Sequence, residues 1–325
     1  MLCRPIFKAK PWGGRKMETV FGKPLPQGQL IGESWEVADL KEGASLIANG
    51  ALAGKTLTDA VRLWGAALIG TAWNSAERFP LLVKILDAQE DLSVQVHPDS
   101  ESCRRHFPDC HSKDETWLIL QNDPEAGILW GFRRGASLED FEKHLQVGEI
   151  AALLRRVDVC AGDFIRNEPG VVHALLGGIL VMEVQEPSDT TFRIYDYGRI
   201  VDGKPRPIHV EQAKKVMKFD WAENPKLVPK PLPANCGNRE LIVDCPAYRM
   251  ESWTFSGEIK IGGLAQTARV IFCAEGRIQI ADGVETFEMR AGDTAIIPAA
   301  VQSPTLTAAD SARLIISGAG AHSLQ

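Results

Sequence analysis

AGDFIRNEPGVVHAL at 161–175 and AGDTAIIPAAVQSP at 291–304 are two versions of one segment. Aligned with a one-residue gap, Pro169 falls on Pro298 and His173 falls on Gln302. In both copies an AGD turn leads into a strand and then into a Pro-containing bend. A supersecondary unit that recurs once in a chain points to two related β-barrels. The second copy has lost the imidazole. It also lacks any Gln-x-His or His-x-His strand, and its histidine, His322, stands near the tail.

Working outward from this pair, short alternating runs dominate: LIGESWEVADL, LLVKILDAQ, LSVQVHP, ETWLILQN, GILVMEVQE, TTFRIYDY, YRMESWTF, ARVIFCAEG and GRIQIADG. Many short strands with Gly and Pro between them predict a mainly β chain of antiparallel sandwiches or barrels. Helical signals are fewer. Thr58 before DAVRLWGAAL reads as a cap, as does Ser137 before LEDFEKHL with Asp140 three residues on. With GEIAALLRRV this predicts a helical insertion at about 137–157, and HVEQAKKVMKF at 209–219 predicts another helix. AENPKLVPKPLPAN carries Pro225, Pro229, Pro231 and Pro233, a composition that favours an extended connector. The division read from the sequence is therefore 1–221, a linker at 222–235, and a second, metal-free barrel at 236–325.

The net charge of -6 provides no basic field for nucleic acid or anionic lipid, which leaves a small molecule as the expected partner. An odd set of seven cysteines without a CxxC pair fits reduced thiols, and Cys103 and Cys110 read as incidental neighbours. The start lacks a signal-peptide h-region and no stretch of about 18 apolar residues occurs, so a cytoplasmic chain without a membrane anchor is expected.

Side chains at i and i+2 share a face of a strand, so LSVQVHP turns Ser93, Gln95 and His97 one way and Val94 and Val96 the other. KDETWLIL puts Lys113 and Glu115 two apart in an otherwise apolar strand, where a charge is costly unless paired or bound to metal. His173 follows a Pro-Gly bend in apolar surroundings. Each of these has an ordinary reading: a solvated sheet face, a surface Lys/Glu pair, a satisfied core histidine. Together, two imidazoles, a carboxylate and an amide form a site suited to zinc or another divalent metal. In EVQEPSDTTFRIYDYGR, Asp189, Thr191, Arg193 and Tyr195 share a face if the strand is regular, opposite Phe192 and Ile194. An arginine among apolar and aromatic residues usually meets an anion, the alternative being a salt bridge to Asp189 or Asp196. Trp12 and Trp35 read as core aromatics with a secondary claim to a sugar wall; His106, His111, His144 and His209 read as surface residues.

The set KPWGG, GESWEV, FPLLVKILDA, LSVQVHPD, KDETW, VHAL and TTFRIYDYGR resembles the type I mannose-6-phosphate isomerases in their shorter bacterial form, from Pro11 to about Lys218. The resemblance implies two cupin (jelly-roll) barrels. It also implies one zinc per chain on Gln95, His97, Glu115 and His173, with a sugar phosphate as substrate. By the same resemblance Lys113 and Arg193 are active-site cations, and Asp189 is the acidic residue four before the arginine. The expected chemistry is aldose to ketose isomerisation through a cis-enediol, with a carboxylate, an imidazole or a metal-bound hydroxide moving the proton, Asp189 being the candidate, and with Lys113 facing either the enediolate or the phosphate. The competing readings are a non-haem iron oxygenase on the same ligand set and a sugar-phosphate-binding cupin without catalysis. The oligomeric state stays open.

Overall fold

The structure is a computed structural model that describes residues 1–73, 77–221, 224–262 and 266–320. The chain is mainly β and folds as two cupin barrels, with a small helical insertion in the first.

The first barrel pairs a six-stranded sheet with a five-stranded one. The six-stranded sheet runs in the order Phe164–Asn167, Glu115–Asn122, Ile179–Gln185, Leu82–Ala88, Ile31–Val37 and Ile6–Gly14. The five-stranded sheet runs Leu154–Asp158, Gly127–Phe132, His173–Leu175, Val94–Val96 and Phe192–Tyr195. The second barrel is built on one sheet ordered Lys230–Pro231, Asn238–Asp244, Arg249–Lys260, Thr305–Gly318, Arg269–Glu275 and Thr294–Ile297, with Arg277–Ala281 and Thr286–Arg290 completing it.

Why some strands read as unbroken apolar runs follows from this stacking. Every residue of Leu82–Ala88 is buried because both faces of the six-stranded sheet are covered. Leu86 and Ala88 pack inside the barrel with Trp117, Val181 and Trp130. The intervening Val83 and Ile85 pack the other way, against Phe272, Val270, Ile315 and Tyr248 of the second barrel. At about 1.5–3 kcal/mol for each large apolar side chain fully buried, this shared cluster makes the second barrel part of the first barrel's support. The division therefore differs from two beads on a spacer. Of the Pro-rich segment, Ala222 and Glu223 lie outside the described residues. Leu227 N–H donates to Phe164 O at 2.8 Å on the first barrel. Lys230 and Pro231 already pair with Leu241 and Glu240 of the second. Proline is tolerated there because this is an edge strand.

The repeat is visible in hydrogen bonds. In the first copy Gly162 N–H donates to Ile119 O at 2.8 Å and Ile119 N–H to Asp163 O at 2.9 Å. The Asp163 carboxylate accepts from Cys160 N–H at 2.8 Å. In the second, Gly292 donates to Cys273 at 2.9 Å, Cys273 to Asp293 at 3.0 Å, and the Asp293 carboxylate accepts from Arg290 N–H at 2.9 Å. Both glycines stand at positive φ, 96° and 90°, a conformation that favours glycine and explains the middle letter of AGD.

Helix boundaries need correction. Thr56, not Thr58, caps Leu57–Trp64, through a reciprocal capping box with Asp59. The Thr58 hydroxyl donates instead to the Asp39 carboxylate. Ser137 and Asp140 form the expected box on Leu138–Gln146, but the insertion ends with the short 3-10 turn Ile150–Leu153. Leu154–Asp158 is a strand on the edge of the five-stranded sheet, with Val157 opposite Ile128, so pairing prevailed over helical periodicity. The expected helix near 209–219 is Val210–Val216. Helices Lys16–Phe21 and Ser100–His106 were not anticipated, although Asp99 caps the latter by accepting from Ser102 N–H at 2.7 Å.

Candidate active site and metal centre

Register assembles the site. Gln95 pairs with His173 on one side and with Arg193 on the other, placing the three on neighbouring strands in one row. His97 follows two residues after Gln95, just past the end of the same strand. Glu115 opens its strand on the opposite sheet, so the cluster bridges the two sheets of the barrel.

His173 Nε2 lies 3.2 Å from Glu115 Oε1, and His97 Nε2 lies 3.5 Å from Glu115 Oε2. All three residues are buried, and one ligand atom from each lies within 4.8 Å of the others. His97 Nδ1–H donates to Thr190 O and His173 Nδ1–H to Val171 O, both at 3.0 Å. Those bonds fix the tautomers, leaving both Nε2 lone pairs aimed at the carboxylate. Burial, and then the charge of Lys113, holds the His97 imidazole neutral, with its pKa well below the ordinary value. Burial opposes ionisation of Glu115, but the charge of Lys113, 2.7 Å away, outweighs it and holds the carboxyl well below its usual range. Asn167 Nδ2–H donates to Glu115 Oε1 at 3.2 Å and orients it. Gln95 Nε2 is 3.4 Å from His173 Nε2; a half-turn of the amide presents its carbonyl oxygen to the same point. Two imidazole Nε2 atoms, a carboxylate and an amide oxygen converging in a buried place fit a divalent cation.

Gln95 and Lys113 also line a cavity of about 170 Å³, with Trp12, Lys84, Glu183 and Arg193 among its other walls. Larger grooves of about 540 and 690 Å³ lie along Arg78 and His111 and contain no such cluster. Most cations of the cavity are already matched: Lys10 to Glu33 at 2.9 Å, Lys84 to Glu183 at 3.4 Å, Lys113 to Glu115 at 2.7 Å and Arg206 to Asp196 at 3.1 Å. Arg193 differs. Its Nη1–H donates to Pro207 O at 2.8 Å, its buried Nε has no partner, and no carboxylate of the described residues pairs with it. The salt-bridge alternative to Asp189 or Asp196 is therefore not what the structure holds. Asp189 lines the cavity mouth, half-exposed, 3.9 Å from Lys84. Thr191 lines it too, but a bulge between Arg193 and Tyr195 turns Tyr195 away to stack edge-on against Tyr197.

Sequence reasoning missed Lys84 and Glu183. Both are charges inside apolar strands, and the argument applied to Lys113 and Glu115 finds them as well. Glu183 accepts from Trp117 Nε1–H at 2.8 Å. Burial, and then the Glu115 charge, raises its pKa. His209, read as a surface residue, instead exchanges hydrogen bonds with the Arg193 backbone: His209 N–H donates to Arg193 O at 2.6 Å, and Arg193 N–H to His209 Nδ1 at 3.1 Å. Trp12 walls the cavity, whereas Trp35 is a core residue whose Nε1–H donates to Glu33 at 2.8 Å.

The second barrel has a counterpart of the Glu115 position. Phe164 pairs with Leu118 and Thr294 with Phe272, so Glu115, opposite Asn167, corresponds to Arg269, opposite Ile297. Arg269 is fully buried and donates to Ile261 O at 3.1 Å and Val301 O at 2.8 Å.

Fold and site together define a double-cupin protein with a candidate metal centre beneath a charged cavity in one barrel. Residues 1–131 match the family model of the phosphomannose isomerase type I catalytic domain. A Bacillus subtilis protein described as a probable mannose-6-phosphate isomerase is 36% identical, covering 92% of this chain and 93% of its own. The Streptococcus mutans mannose-6-phosphate isomerase is 33% identical over 93% of this chain and 95% of its own. The crystal structure of the Bacillus subtilis mannose 6-phosphate isomerase superimposes with a TM-score of 0.88 at 29% identity, covering 97% and 98% of the two chains. The chain belongs to the type I phosphomannose isomerases.

Proposed function

We propose that this enzyme interconverts mannose 6-phosphate and fructose 6-phosphate through a cis-enediol. It would use one Zn²⁺ per chain held by Gln95, His97, Glu115 and His173. The observation that carries the reading is the convergence of two Nε2 lone pairs on the buried Glu115 carboxylate, next to a cavity whose Arg193 has no carboxylate partner among the described residues. A bound zinc supplies Lewis acidity toward the sugar oxygens.

The chain's own residues provide the rest. Arg193 offers fixed positive charge to the oxygen on which negative charge develops, and the backbone bonds from His209 hold it in register. Lys113 offsets the Glu115 charge and faces the cavity, where it meets substrate oxygen. Asp189 is the assigned proton carrier between C2 and C1. Glu183, on the cavity wall with a raised pKa, is the second candidate, because proton transfer near neutrality favours such a carboxyl. Trp12 walls the sugar.

We assign residues 1–221 to the catalytic unit, 222–235 to the connector and 236–325 to a metal-free unit, since a buried guanidinium stands where Glu115 would. The described helices include none long and apolar enough to cross a membrane, and all seven cysteines are free thiols, which supports a cytoplasmic enzyme. Arg193, which pairs with no carboxylate of the described residues, favours an anionic sugar in this cavity over an oxygen-activating site. The test is a coupled assay with mannose 6-phosphate before chelation, after it, and with zinc added back. Zinc-restorable formation of fructose 6-phosphate is expected. Tight sugar-phosphate binding without turnover in any state would indicate a binding protein instead.

A further inference from the structure

The strand that Glu115 opens, with Lys113 just before it, has a second face. Alternation sends Lys113, Glu115 and Trp117 into the first barrel and sends Asp114 and Thr116 out of it, toward the second barrel. There the fully buried Tyr248 meets both: its hydroxyl donates to Asp114 Oδ1 at 3.0 Å and lies 2.9 Å from Thr116 Oγ1. Arg166 clamps the same Asp114 through Nε at 3.2 Å and Nη2 at 2.7 Å. Asp114 N–H donates to Glu186 Oε2 at 2.9 Å. The residues that present Lys113 and Glu115 to the cavity are thus held from behind, and the second barrel supplies one of the holds. A hydroxyl is not needed to fill that space, since phenylalanine has nearly the same shape. A buried polar group is retained only where it finds partners.

Building on the isomerase reading above, we infer that Tyr248 of the second barrel is a positioning residue for the first barrel's reaction, acting through Asp114 and Thr116 on Lys113 and Glu115. On this reading the metal-free barrel is a built part of the active site's support. Small displacements of catalytic groups are costly, with about 1 Å worth up to a hundredfold in rate.

The test compares three full-length proteins: wild type, Tyr248→Phe, and Thr267→Val. Thr267 accepts a hydrogen bond from Trp73 Nε1–H at 2.9 Å, another link between the barrels that does not touch the Lys113 strand. Turnover, KM, zinc affinity by chelator competition and thermal stability are measured for each. Tyr248→Phe is expected to lower kcat about tenfold with KM within about twofold, and to weaken zinc binding severalfold. Thr267→Val is expected to lower stability alone. Equal losses of kcat in both variants, or a Tyr248→Phe enzyme with wild-type kcat and zinc affinity, would overturn the inference. A wild type inactive on mannose 6-phosphate would count against the isomerase reading only, and the zinc affinities of the two variants would still decide the role of Tyr248.

Discussion

The two AGD segments make the same turn with the same hydrogen bonds and surround it with opposite chemistry. Around the first, Glu115, Asn167 and His173 form a buried polar cluster; around the second, Arg269 and Ile297 occupy the places of Glu115 and Asn167, and Gln302, which aligns with His173, is exposed. The scaffold depends on a positive-φ glycine and an aspartate that caps its own turn, and it tolerates either content. A cation stands in both barrels if zinc binds the first: a metal among lone pairs in one, a guanidinium among carbonyl oxygens in the other. The rest of each interior follows suit. The first barrel holds a chain of charges from the half-buried Lys10 through the buried Glu33, Lys84 and Glu183, while the second packs Phe255, Ile271, Leu314 and Ile316.

The sharpest way to break this contrast is in the first barrel. Replacing His97 by Ala or Glu115 by Gln removes metal and turnover together, measured by metal analysis and the coupled assay. Arg193→Ala is expected to lower kcat by about 10²–10³ while the metal content stays at wild-type level, because the proposed role directs its charge to the substrate. Loss of metal in that variant would give Arg193 a structural role.

Acid should separate the barrels next. Burial opposes ionisation of Glu33, but Lys84 and Lys10 outweigh it and hold the carboxyl at about 2. A depressed carboxyl stabilises the fold above the unfolded value of about 4.3 and loses that contribution as pH falls toward about 2. The contribution amounts to about 3 kcal/mol at most. Glu33→Gln should therefore flatten the pH dependence of thermal unfolding between about pH 4 and 2, with the change confined to that window. The smallest effect belongs to the second barrel: Arg269→Met leaves Ile261 O and Val301 O without donors and should cost about 2 kcal/mol, seen as a lower Tm. Turnover per metal-loaded enzyme is expected to stay unchanged.

The candidate cluster was legible because strand alternation and the repeat both pointed to it: Gln95 and His97 share a face, and His173 aligns with Gln302 in the second copy. Lys84 and Glu183 were as legible in principle, sitting in runs too apolar to carry an unpaired charge. His209 was not, because its neighbour is the backbone of a residue 16 positions away, which no local pattern encodes. The strand at Leu154–Asp158 was misread for a related reason. Its residues suit a helix locally, and pairing with Gly127–Phe132 decided otherwise.

The sequence by itself determined the mainly β architecture, the duplication and the identity of the groups able to bind metal, since periodicity, turn chemistry and residue type are local properties of a chain. Tertiary structure alone decided which face of the Glu115 strand meets the second barrel, that Arg269 stands where Glu115 would, and that Arg193 pairs with no carboxylate of the described residues. Those facts depend on which strands become neighbours and in what register, and register is set by the packing of the whole sheet.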